Sequence, residues 1–139
     1  LLAGVRTFET VYISSHHATD SQVVAACSQN PLVELELNWI GALTRGVVEG
    51  IISSQSAATL CDLRIRYCEP GDVDDVESYM EDRGIRAADM LRLVRACPRL
   101  SRLSWQREYS NDAWFAQEAQ AEITEILELR GGKYYTPYG

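Results

Sequence analysis

Four segments of the chain share one spacing: an apolar residue, two others, an apolar residue, one other, and a third apolar residue. They are Phe8-Glu-Thr-Val11-Tyr-Ile13, Leu32-Val-Glu-Leu35-Glu-Leu37, Leu60-Cys-Asp-Leu63-Arg-Ile65 and Leu100-Ser-Arg-Leu103-Ser-Trp105. The last two apolar positions of each alternate with polar neighbours, which predicts a strand with one buried and one solvated face. The intervening stretches read as helices. Asp20 is placed to cap a helix through Val23, Val24 and Cys27 that ends near Asn30-Pro31. Thr44 is placed to cap a second that carries Val47, Val48, Ile51 and Ile52, and a third, Met90 to Cys97, carries Leu91 and Val94 before Pro98. Proline just past a helix end fits, because it has no N–H with which to continue the ladder. Ala26-Cys27 followed by Pro31-Leu32 recurs loosely as Ala96-Cys97-Pro98-Arg99-Leu100. Strand, helix, strand in this order predicts parallel β-α units.

On these motifs the chain resembles the leucine-rich-repeat family over roughly residues 7 to 106. The likeness is to its long, helix-bearing forms, the ribonuclease-inhibitor-like and the cysteine-containing, F-box-associated repeats. The polar or cysteine position that follows LxxLxL is met by Asn38 and, after Arg66-Tyr67, by Cys68. The resemblance implies a short, irregular α/β solenoid: about four parallel strands backed by helices and closed by a C-terminal capping helix. First positions lie 24, 28 and 40 residues apart, whereas regular repeats run roughly 20 to 29. The long gap has room for an extra helix, Val73 to Glu81, as an insertion or a degenerate repeat. Another α/β fold with parallel strands is the runner-up.

After Trp105 the pattern changes. Asn111 or Asp112 is placed to cap a helix through Trp114, Phe115, Ala119, Ile123, Ile126 and Leu127, with Gly131-Gly132 as its stop. A solenoid needs its end covered, so this helix is expected to be the cover. The chain divides into a repeat-like domain at residues 1–110, the capping helix at 111–130 and an aromatic tail at 131–139. The tail is expected to fold back or fray, with docking to a partner as the alternative. No cap precedes Phe8, so upstream residues or a partner are expected to cover that end.

The bulk numbers narrow the function classes. Twenty acidic residues against 13 basic give a net charge of −7, which repels phosphate backbones and argues against nucleic acid. The 46% apolar and 24% charged composition is that of an ordinary soluble domain. No run approaches the ~18 to 20 apolar residues of a membrane span. Cys27, Cys61, Cys68 and Cys97 form no CxxC pair and only two histidines are present, so reduced, mostly buried thiols in an intracellular setting are expected. That setting is cytoplasmic or organellar, the mitochondrial matrix if a leader has been removed.

Catalytic groupings are weak. His16, His17 and Asp20, beside Ser14 and Ser15, imitate a hydrolase cluster, but they fall where turn and cap residues are expected and no G-x-S-x-G elbow accompanies them. The acidic run from Asp72 to Asp82 fails the calcium-loop pattern, with Val76 and Glu77 at the fifth and sixth positions. No glycine-rich phosphate loop occurs. The strand faces remain. Opposite the apolar positions, the repeats align into three rows: Thr10, Glu34, Asp62, Arg102; then Tyr12, Glu36, Arg64, Ser104; then Ser14, Asn38, Arg66, Gln106. Tyr12, Glu34, Glu36, Asn38, Asp62, Arg64, Arg66, Arg102, Ser104 and Gln106 are the expected partner-binding residues, with Trp39 at the edge. The expected function is a non-enzymatic protein–protein interaction domain, an adaptor or a structural subunit of a larger complex. It needs no cofactor, metal or small-molecule substrate. The alternatives are the substrate-recognition part of an F-box-like ubiquitin-ligase component, by resemblance, and a hydrolase using His16 or His17 with Asp20.

Overall fold

The computed structural model describes residues 9–15, 17–41, 43–68, 78, 83–106 and 117–135. Five strands form one sheet: β1 (Glu9–Ile13), β2 (Leu32–Asn38), β3 (Asp62–Arg66), β4 (Arg102–Gln106) and β5 (Lys133–Tyr135). They lie side by side in chain order, and every neighbouring pair is parallel. Between them run α1 (Asp20–Gln29), α2 (Arg45–Ile52), α3 (Ala87–Ala96) and α4 (Gln117–Leu129), with a 3-10 turn at Gln55–Ala58. The four strands expected from the repeated spacing are all present. One strand more than the about four expected is present, because Lys133–Tyr135 in the supposed tail pairs with β4. Leu103 aligns with Tyr134, so glycine and threonine stand where the spacing would place its outer apolar residues, and the pattern is erased. The helix expected to end the fold therefore connects two strands. The extra helix expected at Val73 to Glu81 and the residues Asn111, Asp112, Trp114 and Phe115 lie outside the described residues.

The alternation sorts most strand residues as expected, but Asn38 and Ser104, expected among the exposed binding residues, are buried at 7% and 5% exposure. Leu35, Leu37, Leu63, Ile65, Leu103 and Trp105 are buried, and they meet Val23, Cys27, Val47, Ile51, Met90, Val94, Ile123 and Leu127 from the four helices in one core. Each fully buried aliphatic side chain stabilises the fold by roughly 1.5–3 kcal/mol. Among the described residues, α1 to α4 thus pack on one side and the other side of the sheet is open.

The helix ends show how successive units are tied. Thr19, and not Asp20, caps α1: its hydroxyl accepts from the N–H of Gln22, and Gln22 Oε1 accepts from the N–H of Thr19 at 2.9 Å. Asp20 reaches sideways instead. Its carboxylate accepts the backbone N–H of Thr44 at 3.0 Å and pairs with the Thr44 hydroxyl, and Thr44 itself caps α2 as expected. Gly50 lets α2 approach α1 closely, since a Cβ there would drive into Val24.

Two carbonyl-bearing corners are closed from the following unit. α1 stops at Pro31, which has no N–H to offer the carbonyl of Cys27. The buried hydroxyl of Ser56, from the 3-10 turn, serves that carbonyl at 2.6 Å and that of Asn30 at 2.9 Å, while accepting the N–H of Leu32 at 3.0 Å. At the end of α3, the Arg130 guanidinium donates to the carbonyls of Val94, Cys97 and Leu100 at 3.2, 3.0 and 2.7 Å. A cation at the negative end of a helix dipole is favourable. The recurring Ala-Cys…Pro…Leu phrase therefore marks two helix ends whose cysteine carbonyl takes a side chain from further along the chain. α4 ends in a paired turn: Gly132 N–H bonds Leu127 O, and Gly131 N–H bonds Glu128 O, both at 2.9 Å. Gly131 sits at φ +79°, a conformation that glycine adopts without steric cost.

Candidate functional site

The open side of the sheet carries the rows expected from the sequence. Thr10 aligns with Glu34, Glu34 with Asp62, and Asp62 with Arg102; Tyr12 aligns with Glu36, Glu36 with Arg64, and Arg64 with Ser104. Asn38, Arg66 and Gln106 form the third row. Ser14 does not join it, because β1 and its pairing end at Ile13. β5 extends the first two rows with Lys133 and Tyr135, two residues that the sequence pattern missed. The face is consequently framed by exposed tyrosines, Tyr12 on β1 at 60% exposure and Tyr135 on β5 at 41%. Lys133 Nζ lies 4.9 Å from the Tyr135 ring centre.

Charge on this face is ordered. Carboxylates occupy β2 and the start of β3, and cations occupy the remainder of β3 with β4 and β5. Arg64 stands at the boundary, with Nη1 3.2 Å from Glu36 Oε1 and Nη2 3.3 Å from Asp62 Oδ2. Asp62, and then Glu36, raise the Arg64 pKa above its ordinary value. Asn38 Nδ2 donates to Glu36 Oε2 at 2.9 Å, and Thr10 Oγ1 donates to Glu34 at 3.3 Å. Arg66 and Arg102 belong to no ion pair among the described residues, and the buried Nε of Arg66 has no hydrogen-bond partner there.

Two hollows mark the face. One, of about 200 Å³, lies over β3 to β5 and includes Arg64, Arg66, Arg102, Ser104 and Tyr135. The other, of about 140 Å³, lies over β1 to β3 beside Tyr12, Glu34 and Glu36, and shares Asp62 and Arg64 with the first. Past the carboxyl ends of β2 and β3, Trp39 and Tyr67 stack with ring centres 4.7 Å apart and planes inclined by 21°. Both follow the last residue of their strand, and both hold positive φ, 55° and 54°. Bulky residues in that region carry strain. The backbone holds them there: Trp39 N–H bonds Arg66 O at 3.0 Å, and Tyr67 N–H bonds Gln106 O at 2.9 Å. Trp39 is 59% exposed, a large aromatic presented to solvent at the edge of the charged face.

The other candidates are placed as follows. His16 lies outside the described residues, His17 is exposed in the loop before α1, and the Asp20 carboxylate bonds Thr44. All four cysteines are free thiols, with Cys27, Cys68 and Cys97 buried. Burial, with Cys97 nearby, pushes Cys27 up to about 11; burial also takes Cys97 up to about 11 against the opposing pull of Arg130. Such thiols are poor nucleophiles at neutral pH. Among the described residues no group of His, Cys, Asp and Glu is arranged to hold a metal ion, and no helix is long and apolar enough to cross a membrane. No protein-family model, curated protein or solved structure matches the chain.

Proposed function

We propose that the chain is an irregular leucine-rich-repeat-type domain whose open strand face binds another protein, as an adaptor or as a structural subunit of a larger complex. The observation that carries this reading is the contrast between the two sides of the sheet. One side is sealed by four helices over a continuous apolar core, while the other presents an ordered charge pattern framed by Tyr12, Tyr135 and Trp39. Aromatic and arginine side chains are the types that dominate binding energy at protein interfaces. The repeat character is supported by the one-way order of the parallel strands, by the shared spacing, and by the matched treatment of the Cys27 and Cys97 carbonyls. Stacked units of this kind commonly bind through the strand side.

The test is capture of partners by the purified chain, compared with two surface variants. A face variant, Tyr12→Ala with Arg66→Glu, is expected to lose a specific partner by tenfold or more. A helix-side variant, Glu125→Arg on exposed α4, is expected to retain it. Retention by the face variant with loss by the helix variant would move the interface to the other side and refute the proposal.

A further inference from the structure

We infer that the hollow over β3, β4 and β5 receives a single carboxylate from an acidic residue in a short segment of the partner; this rests on the strand face being an interaction surface. Its arginines are not equivalent. Arg64 is already held between Asp62 and Glu36, whereas Arg66 and Arg102 have no anionic partner among the described residues. The Nε of Arg66 is both buried and without an acceptor. A donor withdrawn from water and left unserved is costly, and its complement is an anionic oxygen. A guanidinium presents Nε–H and one Nη–H side by side, matched to the two oxygens of a carboxylate. Arg66 lines the hollow together with Arg64 and Arg102. Ser104 and Gln106 on β4 add neutral hydrogen-bonding groups at the wall.

Charge selects the anion. Arg64, Arg66 and Arg102 line the hollow against Asp62, with Glu36 holding Arg64 from outside it, so cations outnumber acids and an anionic ligand is favoured. A carboxylate fits the planar fork of a guanidinium with both its oxygens. Area selects the carrier. Five strands at ~4.8 Å spacing and about five residues at ~3.3 Å rise make a face of roughly 400 Å². That is about half of the ~800 Å² per side typical of a stable interface between globular proteins, so a segment is favoured over a second copy of the chain. The acidic hollow at Glu34 and Glu36 lies about two strand spacings away, ~10 Å. A segment that crosses the strands therefore places a basic side chain toward β1 and its carboxylate over β4.

The probe is a capped Gly-Gly-Glu-Gly peptide, which carries one carboxylate, titrated into the full chain, with the arginine Nε–H resonances followed by NMR. Sodium phosphate at matched ionic strength is the second arm. The expected result is a saturable shift of the Arg66 and Arg102 resonances by the peptide. Arg66→Gln and Arg102→Gln should each weaken it at least tenfold with an unchanged melting temperature, and Arg66→Lys should fall between. Absence of a saturable shift would overturn the inference, as would affinity unchanged in Arg66→Gln. Phosphate binding as tight as the peptide's would overturn the choice of carboxylate. The two levels separate cleanly. A partner lost by Tyr12→Ala but kept by the two arginine variants leaves the interaction face standing and removes the carboxylate hollow. Peptide binding at the arginines by a chain whose partner docks on the helix side does the reverse.

Discussion

Replacing Ser56 by alanine removes one hydroxyl and disturbs three backbone groups. The hydroxyl is fully buried, accepts the N–H of Leu32, and shares its proton between the carbonyls of Cys27 and Asn30. Alanine offers none of these bonds, and Pro31 supplies no N–H in their place. A buried backbone group left without a partner costs about 1–3 kcal/mol. With the Leu32 N–H and the Cys27 carbonyl both stranded, the loss should be about 3 kcal/mol, a large share of the ~5–15 kcal/mol stability of a typical domain. At roughly 3 °C per kcal/mol for a chain of this size, the melting temperature should fall by about 10 °C. Chemical denaturation followed by circular dichroism measures the loss, with Ser54→Ala as the control. Ser54 bonds the Ile51 carbonyl through its hydroxyl at 2.8 Å, but that carbonyl also accepts the Ser54 backbone N–H, so the loss should stay below about 1 kcal/mol. Equal, small effects of the two substitutions would refute the claim that Ser56 ties α1 to the next unit.

Other consequences follow from the same physics. Arg130→Met keeps much of the aliphatic stem but removes the donors to three carbonyls at the end of α3, so urea unfolding should show a loss of about 2–3 kcal/mol; an unchanged midpoint would remove that cap from the account. Gly132→Ala should cost more than Gly131→Ala. A Cβ at 132 meets the Ser101 carbonyl whereas one at 131 meets open space, leaving only the positive-φ penalty of about 1–2 kcal/mol, and calorimetry orders the pair. Cys27 and Cys97 have raised folded-state pKa values, so their contribution is complete below the unfolded-state value near 9 and is lost as pH rises toward about 11. Stability should therefore decline across that window more steeply than in a Cys27→Ala, Cys97→Ala chain, and alkylation of both thiols at neutral pH should track unfolding.

Period and polarity carried much of the fold in the sequence. The LxxLxL spacing located β1 to β4, and the same alternation assigned the row residues, Ser14 excepted, in the register that the strands adopt. Long-range ties were less legible. Ser56 drew no expectation, because nothing local announces that a serine will be buried against a carbonyl 29 residues away. Asp20 looked like a helix cap, since any Asp before an apolar run does; its neighbour Thr19 took that role and left Asp20 to bridge to Thr44. β5 was hidden because three residues between a glycine pair and Thr136 give no periodicity to detect, and its pairing depends on the close approach of Gly132 to Ser101. With β5 went Lys133 and Tyr135, and with them the aromatic frame on that side of the candidate face. The Trp39–Tyr67 stack was half visible: the residues stand out, but their shared backbone conformation does not.

The chain has a single lysine, and Lys133 lies on the open face beside Arg102. Amine-directed cross-linking of a native complex, read by mass spectrometry, therefore interrogates that face with one side chain. The account predicts cross-links from Lys133 to a defined segment of a partner, abolished by the Tyr12→Ala, Arg66→Glu variant. A partner that leaves Lys133 unlinked, and links instead through carboxylate chemistry on α3 or α4, would contradict it.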